Sequence, residues 1–338
     1  MLIKPVCLIT VIPDKVRVSV GTAAVLGLMR VRLDAPPTTA YLMTYTEDGC
    51  IANCAFCSQA RESHSKRSML SRVIWPEFST ELVLKGLEAP EMEVIERVCV
   101  QVINYPGFID DVVSLLKAIR EATDLPVSID TCPVGMEELK GLREAGAERI
   151  SIPLDAATQE IFDKVKGRSA GGPYRWEAHM EALRAAKEIF GKGNVMSNLI
   201  IGLGETEREA LSLIQTLRDL GIQMVLYAFT PLPETKLAGR PQPVIESYRR
   251  IQVARHLITE GSARLEDMKF DERGRLVSFG TEVDIEAILS EALRTTGCPG
   301  CNRPYYNERP SGPFYNYPRG LNEEELIMER RRLEDCFR

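Results

Sequence analysis

Three cysteines stand within eight residues, in Cys50-Ile-Ala-Asn-Cys54-Ala-Phe-Cys57, shortly after the apolar run Ala40-Tyr-Leu-Met-Thr-Tyr45. That run reads as a strand, and a loop at a strand's C-terminal end can aim three thiolates at one point. Soft thiolates at this spacing select zinc, Cu(I) or an iron–sulfur cluster. A closed structural zinc site takes four ligands, usually as two separated Cys-x2-Cys pairs. A four-iron cube held by three cysteines leaves one iron open for a small-molecule ligand. The competing reading is three buried structural cysteines.

A second thiol pair stands in Gly297-Cys298-Pro-Gly-Cys301. Cys-x2-Cys on a tight turn is half of a metal site. A zinc knuckle is one reading, but its other half must then be found. Cys99 and Cys132 are the candidates, and with the tail pair they make a four-cysteine set sufficient for a second iron–sulfur cluster. Cys7 and Cys336 are substitutes. Taken alone, Cys99 on an apolar strand would be core.

The elements that must position these residues alternate along the chain. Residues 1–38 form a lead-in with β-like runs at 6–11 and 16–20. The strand 40–45, the cysteine loop and a basic segment at 61–67 follow. Strand patterns at 94–103, 126–130, 149–154, 194–201 and 223–229 then alternate with helix patterns at Phe108–Ala122, 136–145, 174–190, 207–220 and 244–260. Repeated strand–helix units imply a parallel sheet, and six of them suggest a barrel. Runs at 264–270 and 275–279 are joined by a link too short for a crossover helix, so they read as a hairpin. The expectation is an α/β fold, a partial (β/α)6 TIM-type barrel closed by that hairpin. The barrel domain covers 39–295. A tail over 296–338, rich in proline, glycine and aromatics, reads as an extended wrap ending in a helix that opens at Asn322 and Glu325.

In a parallel barrel the site lies at the C-terminal ends of the strands. The triple-cysteine loop, Asn104, Cys132, Asp155, the segment 202–206 and the segment 230–237 all fall there. Asp155 is either a helix N-cap or a functional carboxylate. Arg168, in a Gly-rich loop, is either a solvated arginine or a bidentate partner for a carboxylate.

The C-x3-C-x2-C spacing with Phe56 before the last cysteine resembles the signature of the radical S-adenosylmethionine (SAM) enzymes. The resemblance implies a [4Fe-4S] cluster on Cys50, Cys54 and Cys57 whose open iron chelates SAM, with Phe56 near the adenine. Within the biotin synthase-like branch it assigns Asp155 to the ribose hydroxyls and Arg168 to the methionine carboxylate. Gly202, Gly204 and Glu205 resemble the segment that lets backbone approach the adenine. Cys99 matches a ligand position of biotin synthase's sulfur-donor cluster, but Ser128 and Met196 stand where further thiols belong. The family resemblance also implies a full barrel. The Cys-Pro-Gly-Cys tail with Tyr-Tyr-Asn-Glu-Arg-Pro-Ser-Gly is similar to a branch, mostly archaeal, that acts in pairs as a lipoyl synthase. It implies a second, auxiliary [4Fe-4S] cluster, with Ser311 as a further ligand candidate. It also implies sulfur insertion into a protein-bound octanoyl chain. The implied partners are an octanoylated lipoyl carrier protein or domain, a companion radical SAM protein and a small electron donor such as ferredoxin. Biotin synthase, a single-cluster mutase or lyase, and a non-enzymatic metal-binding protein are the alternatives.

Composition bounds the rest. At 338 residues, 44% apolar and 27% charged, the chain is long enough for one well-buried α/β domain. A net charge of −6 argues against nucleic acid or an anionic membrane as the main partner, despite Arg303, Arg309 and Arg319. No apolar run approaches a membrane span, and no secretory signal is read. Nine cysteines, an odd count, argue for metal ligands in a reducing cytoplasm rather than a disulfide framework.

Overall fold

The computed structural model describes residues 12–89, 94–282 and 284–336, with side chains to residue 334. The run at 6–11, Cys7, Val283 and the side chain of Cys336 lie outside this description.

The lead-in gives β1 (Lys15–Val18) and a short helix, α1 (Val20–Val25), capped by Ser19. The expected strand at 16–20 therefore ends early, because Ser19 accepts from the Thr22 amide and starts a helix. The strand before the cysteines is β2 (Thr39–Thr44). Two short strands, β3 (Met69–Leu70) and β4 (Val73–Ile74), make a small hairpin after the loop, followed by β5 (Glu77–Ser79) and α2 (Thr80–Leu87). The repeating units are then β6 (Arg97–Gln101), α3 (Phe108–Ala122), β7 (Val127–Asp130), α4 (Met136–Glu144), β8 (Ala147–Ser151), α5 (Gln159–Val165), α6 (Trp176–Phe190), β9 (Val195–Ile201), α7 (Glu207–Asp219), β10 (Gln223–Ala228) and α8 (Ile245–Glu260). The chain finishes with β11 (Lys269–Phe270), β12 (Leu276–Ser278), α9 (Ile285–Ala292) and α10 (Glu323–Cys336).

The main sheet runs β10-β9-β8-β7-β6-β2-β1-β5. Its pairs from β2 to β10 are all parallel, so these six strands form the (β/α)6 partial barrel. β1 and β5 extend it in antiparallel sense on the β2 side. Strands covered by helices are buried on both faces, as β2 is along its whole length. The helices are capped locally: Thr206 and Glu209 form a reciprocal capping box on α7. No helix among the described residues is long and apolar enough to cross a membrane.

The hairpin expected at 264–279 forms, but β11 and β12 pair only with each other. They pack on the start of α7, where the Arg208 amide donates to the Gly274 carbonyl and the Leu276 amide to Glu207. The open edge of β10 is met instead by the tail. The Leu226 amide donates to Thr296 Oγ1 (2.9 Å) and the Ala228 amide to Asn307 Oδ1 (3.3 Å). Between these, Asn302 accepts from the Thr38 amide (3.1 Å) and donates to the Pro36 carbonyl (2.9 Å), on the β2 side. Side chains of an extended segment thus bridge a gap that no strand fills. The tail's final helix starts at the expected cap, Asn322 Oδ1 accepting from Glu325 and Glu325 from the Asn322 amide. Along this helix Leu333 is buried and Leu326 packs on the core, whereas Ile327 is exposed.

Candidate active site

The cysteine loop is stitched to three neighbouring crossings. The Ile51 amide donates to the Asn104 carbonyl (2.8 Å), that of Ala55 to Val165 (2.7 Å), and that of Leu237 to Ala55 (3.0 Å). Asn53, 1% exposed, donates to the Ala170 carbonyl (2.7 Å) and accepts from the Glu62 amide (3.2 Å). A buried asparagine with both ends of its amide satisfied fixes the loop against the Gly-rich segment.

Cys50, Cys54 and Cys57 line one cavity with about 1150 Å³ of empty space, counting its mouth. Burial pushes all three thiols up, Cys57 to about 12. The buried Lys166 ammonium opposes this shift at each of them. Three soft ligands beside one fixed cation, in a cavity with room for a cofactor, fit a thiolate-held anionic cluster.

The same cavity is walled by Phe56, Asn104, Asp155 and Tyr174. Asn104 Nδ2 donates to the Tyr174 hydroxyl (3.1 Å). Asp155 is 8% exposed, sits at φ +65° and holds Lys166 Nζ at 2.7 Å. It caps no helix, since Thr158 caps α5. Aspartate adopts the left-handed region more readily than most side chains, and here the ion pair to Lys166 and the bond from its amide to the Asn198 carbonyl hold it there. Burial by itself would lower Lys166, but Asp155, with Cys54 and Asp130, holds it above its ordinary value.

Three expectations need correction. Arg168 is exposed and walls no part of the cavity; Lys166, two residues earlier, is the cation there. The sequence gives no signal for Lys166, because the short helix α5 that delivers it has no clear apolar period. Gly202, Gly204 and Glu205 shape the turn after β9 instead of facing the cavity. Glu205 accepts from the amides of Gly202 (2.5 Å) and Leu203 (3.0 Å), and Asn198 and Ile200 take the wall positions. A Cβ on Gly202, which sits at φ +108°, would meet Phe229 Cβ at 3.1 Å. Cys132 lines this first cavity near Cys50 and Tyr174, pushed up to about 11 by burial, and does not join the tail pair.

Cys99, Cys298 and Cys301 do come together inside the barrel. Strand register puts Tyr41, Cys99 and Ser128 in one row across β2, β6 and β7. Burial pushes the Cys99 and Cys298 thiols up, and Cys99 is next raised by Cys298 and Cys298 by Cys301, so the three share one field. Ser128 lies within hydrogen-bond reach of Cys99 and Cys298. Cys298 Sγ lies 3.9 Å from Met196 Sδ, Gln101 Nε2 donates to Cys99 Sγ (3.2 Å), and Tyr41 Oη lies 3.2 Å from Cys301 Sγ. Arg97 and Arg149 bear on Cys298, and Arg303 lies beside Tyr41 and Cys301. All three arginines carry buried N–H groups without a hydrogen-bond partner, although Arg97 and Arg149 pair with Glu148 and Arg303 lies over the Tyr227 ring. The sequence does not mark Tyr41, Gln101, Arg97 or Arg149, and it shows Arg303 only as one of three tail arginines, because only the register and the tail's path bring them to the thiols. Ser311 is exposed.

Among the described residues, no three His, Cys, Asp or Glu side chains converge as on a single metal ion. A multi-iron cluster takes each thiolate on a different iron and asks for wider spacing than a lone zinc.

An open parallel barrel with three thiols in the loop after its first parallel strand defines a class of cluster-bearing α/β enzymes. The family model of the Radical SAM superfamily matches residues 45–217, and the chain belongs to that superfamily. Its members carry a [4Fe-4S] cluster with SAM, which the cavity around Cys50, Cys54 and Cys57 fits. The chain is similar to biotin synthase of Desulforudis audaxviator (strain MP104C), 24% identical over 259 residues and 75% of each chain. It is also similar to biotin synthase of Hydrogenobaculum sp. (strain Y04AAS1), 23% identical over 255 residues, 73% of this chain and 71% of the other. Among solved structures it resembles methylornithine synthase (PylB), with TM-score 0.52 and 16% identity over 66% of this chain and 63% of that one. A further likeness is HydG, a maturase of the [FeFe]-hydrogenase, with TM-score 0.50 and 18% identity over 65% and 49%. The match thus spans less than two thirds of those two solved chains, and it speaks for the fold.

Proposed function

We propose that this radical SAM enzyme inserts sulfur into unactivated C–H bonds of a protein-bound octanoyl chain, as one component of a paired lipoyl synthase. The observation that carries the reading is the second thiol set, Cys99 with Cys298 and Cys301, apart from the first cavity and with Arg97, Arg149 and Arg303 bearing on it. Cys50, Cys54 and Cys57 would hold the SAM-binding cluster, and Cys99, Cys298 and Cys301 an auxiliary cluster that donates sulfur. When bound, the first cluster and SAM supply a 5′-deoxyadenosyl radical strong enough to abstract hydrogen from an alkyl carbon.

The chain's own residues orient and enclose. Asp155 and Asn104 offer polar contacts to SAM's ribose and adenosyl side, Phe56 an aromatic wall, and Lys166 a fixed charge for the carboxylate. The apolar wall formed by Met43, Ile103, Leu70 and Leu232 keeps water from a carbon radical. The exposed Arg61 and Lys66 beside the mouth support docking of an acidic carrier surface. A companion radical SAM protein and a ferredoxin-like donor complete the proposed system.

Biotin synthesis is the second reading, favoured by the relatives and by Cys99. Against it, Ser128 and Met196 stand on the strands β7 and β9 where thiols are needed. Iron and acid-labile sulfide on anaerobically reconstituted protein with Cys50, Cys54 and Cys57 all changed to Ala decides the cluster question. About four irons remaining support the proposal; none remaining leaves a single-cluster mutase or lyase. Sulfur transfer to an octanoyl-lysyl peptide, against transfer to dethiobiotin, then separates the two sulfur-inserting readings.

A further inference from the structure

A second cavity, with about 1010 Å³ of empty space counting its mouth, opens on the flank of the barrel. Its walls come from the three pieces added to the strand–helix units. The lead-in brings Leu33 and Ala35, the β3–β4 hairpin Val73, Ile74 and Trp75, and the tail Tyr305 and Pro310. Its inner end is formed by Tyr41, Gln101, Tyr227 and Arg303. Gln101, Tyr227 and Tyr306 also wall the first cavity, so the two spaces adjoin at these side chains. Tyr41 and Gln101 are the residues that touch Cys301 and Cys99. The flank cavity therefore ends where the first cavity and the second thiol set meet.

Its chemistry is narrow. The wall is aromatic and aliphatic, with Ile74 at the rim 53% exposed. Its polar groups include Arg72, Gln101, Arg303 and Glu308; of the buried polar atoms, Trp75 Nε1, Glu308 Oε2 and Arg303 Nε and Nη1 lack a hydrogen-bond partner, and Arg303 is the one that bears on Cys301. Trp75 and Glu308 are 2% and 4% exposed. A ligand that is mostly hydrocarbon, with one acceptor and one donor, meets such a wall; an amide-linked alkyl chain has that composition. The first cavity carries Asp155, Lys166, Asn104 and Asn198, the polar set assigned to SAM, beside an apolar wall of its own.

We propose that the flank cavity is the entry and binding site of the acyl substrate, an unbranched chain carried on a lysyl amide. The chain enters sideways, past Ile74 and Trp75, while SAM enters by the mouth above the cysteine loop. The inference rests on the proposed function for the identity of the chain, and it assigns that chain a route of its own. It also gives the lead-in and the tail a joint task, since neither builds the cavity alone.

The test is photolabelling of the reconstituted, SAM-loaded enzyme with an N-octanoyl-lysyl peptide bearing a diazirine in the alkyl chain, mapped by mass spectrometry. Adducts on Val73, Trp75 or Tyr305 are expected. Ile74→Trp, in the hairpin, and Ala35→Phe, in the lead-in, should each reduce labelling and peptide affinity by about tenfold or more. Either variant with a wild-type Tm serves. Adducts confined to Phe56, Leu70 and Leu232, with the peptide still converted, would overturn the flank route and leave the proposed function standing. Absence of both labelling and conversion, with sulfur transferred to dethiobiotin instead, would remove the acyl substrate and the route together.

Discussion

Tyr41 Oη lies 3.2 Å from Cys301 Sγ and accepts from the Arg303 amide at 3.1 Å, joining the second strand of the sheet to the tail. The contact works only because the tail is held along the open edge of β10. Asn307, 4% exposed, is the central fastening there. It accepts from the Ala228 amide (3.3 Å) and donates to Thr230 Oγ1 (3.3 Å). Asn307→Ala strands a strand-edge amide without a partner. A loss of about 1–3 kcal/mol in urea unfolding is expected, the cost of an unsatisfied buried donor.

The tail's second fastening is a buried ion pair. Arg249 meets Glu329 through two bonds of 2.8 Å, with side chains 0% and 1% exposed, and also holds the Tyr315 carbonyl (2.8 Å). Removing one member leaves the other charged and buried, which costs about 3–5 kcal/mol. Arg249→Met should therefore lower stability by that order. It should also reduce iron at Cys298 and Cys301 while sparing iron at the first site. Iron counts on Arg249→Met check the two halves separately, in the background lacking Cys50, Cys54 and Cys57 for the loss and in one lacking Cys298 and Cys301 for the sparing.

Much of this was legible in the chain because it is local. Phe108–Ala122 follows from its apolar period, with Asp110 and Asp111 in the first turn and Arg120 in the last. The cysteine loop follows from spacing alone. What escaped depends on contacts distant in sequence. The helix α5 spans only Gln159–Val165, too short for a clear period, and with it went the position of Lys166. Cys132 lies beyond the end of β7, where strand alternation no longer sets the direction of a side chain. The hairpin β11–β12 was legible as a local unit, but its seat on α7 was not. That seat depends on Glu207, which accepts from Leu276 and pairs with Arg250.

In the first cavity the pair Lys166–Asp155 has both members buried at 2.7 Å. Lys166→Met and Asp155→Asn should each destabilise the cluster-free protein by about 3–5 kcal/mol. The double variant should cost clearly less than the sum, because neither charge is then left alone. Additive losses in urea unfolding would show the two residues acting independently. SAM affinity measured by calorimetry on the reconstituted enzyme should fall about tenfold or more in each single variant.

The last expectation concerns pH. Burial pushes the Asp130 carboxyl up to about 7, against a hydrogen bond of 2.8 Å from Asn198. An unfolded aspartate titrates near about 4. The folded value is raised, so the stability tied to the protonated form is fully present below about pH 4. It declines as pH rises and is gone once pH passes about 7. Over that window the cluster-free protein should lose at most about 4 kcal/mol from this group. Asp130→Asn removes the titration. Its unfolding free energy should therefore match wild type near pH 4, exceed it increasingly up to about pH 7, and stay above it by a constant margin at higher pH. Parallel curves for the two proteins across that range would show that Asp130 is ionised throughout and that solvent in the cavity screens it.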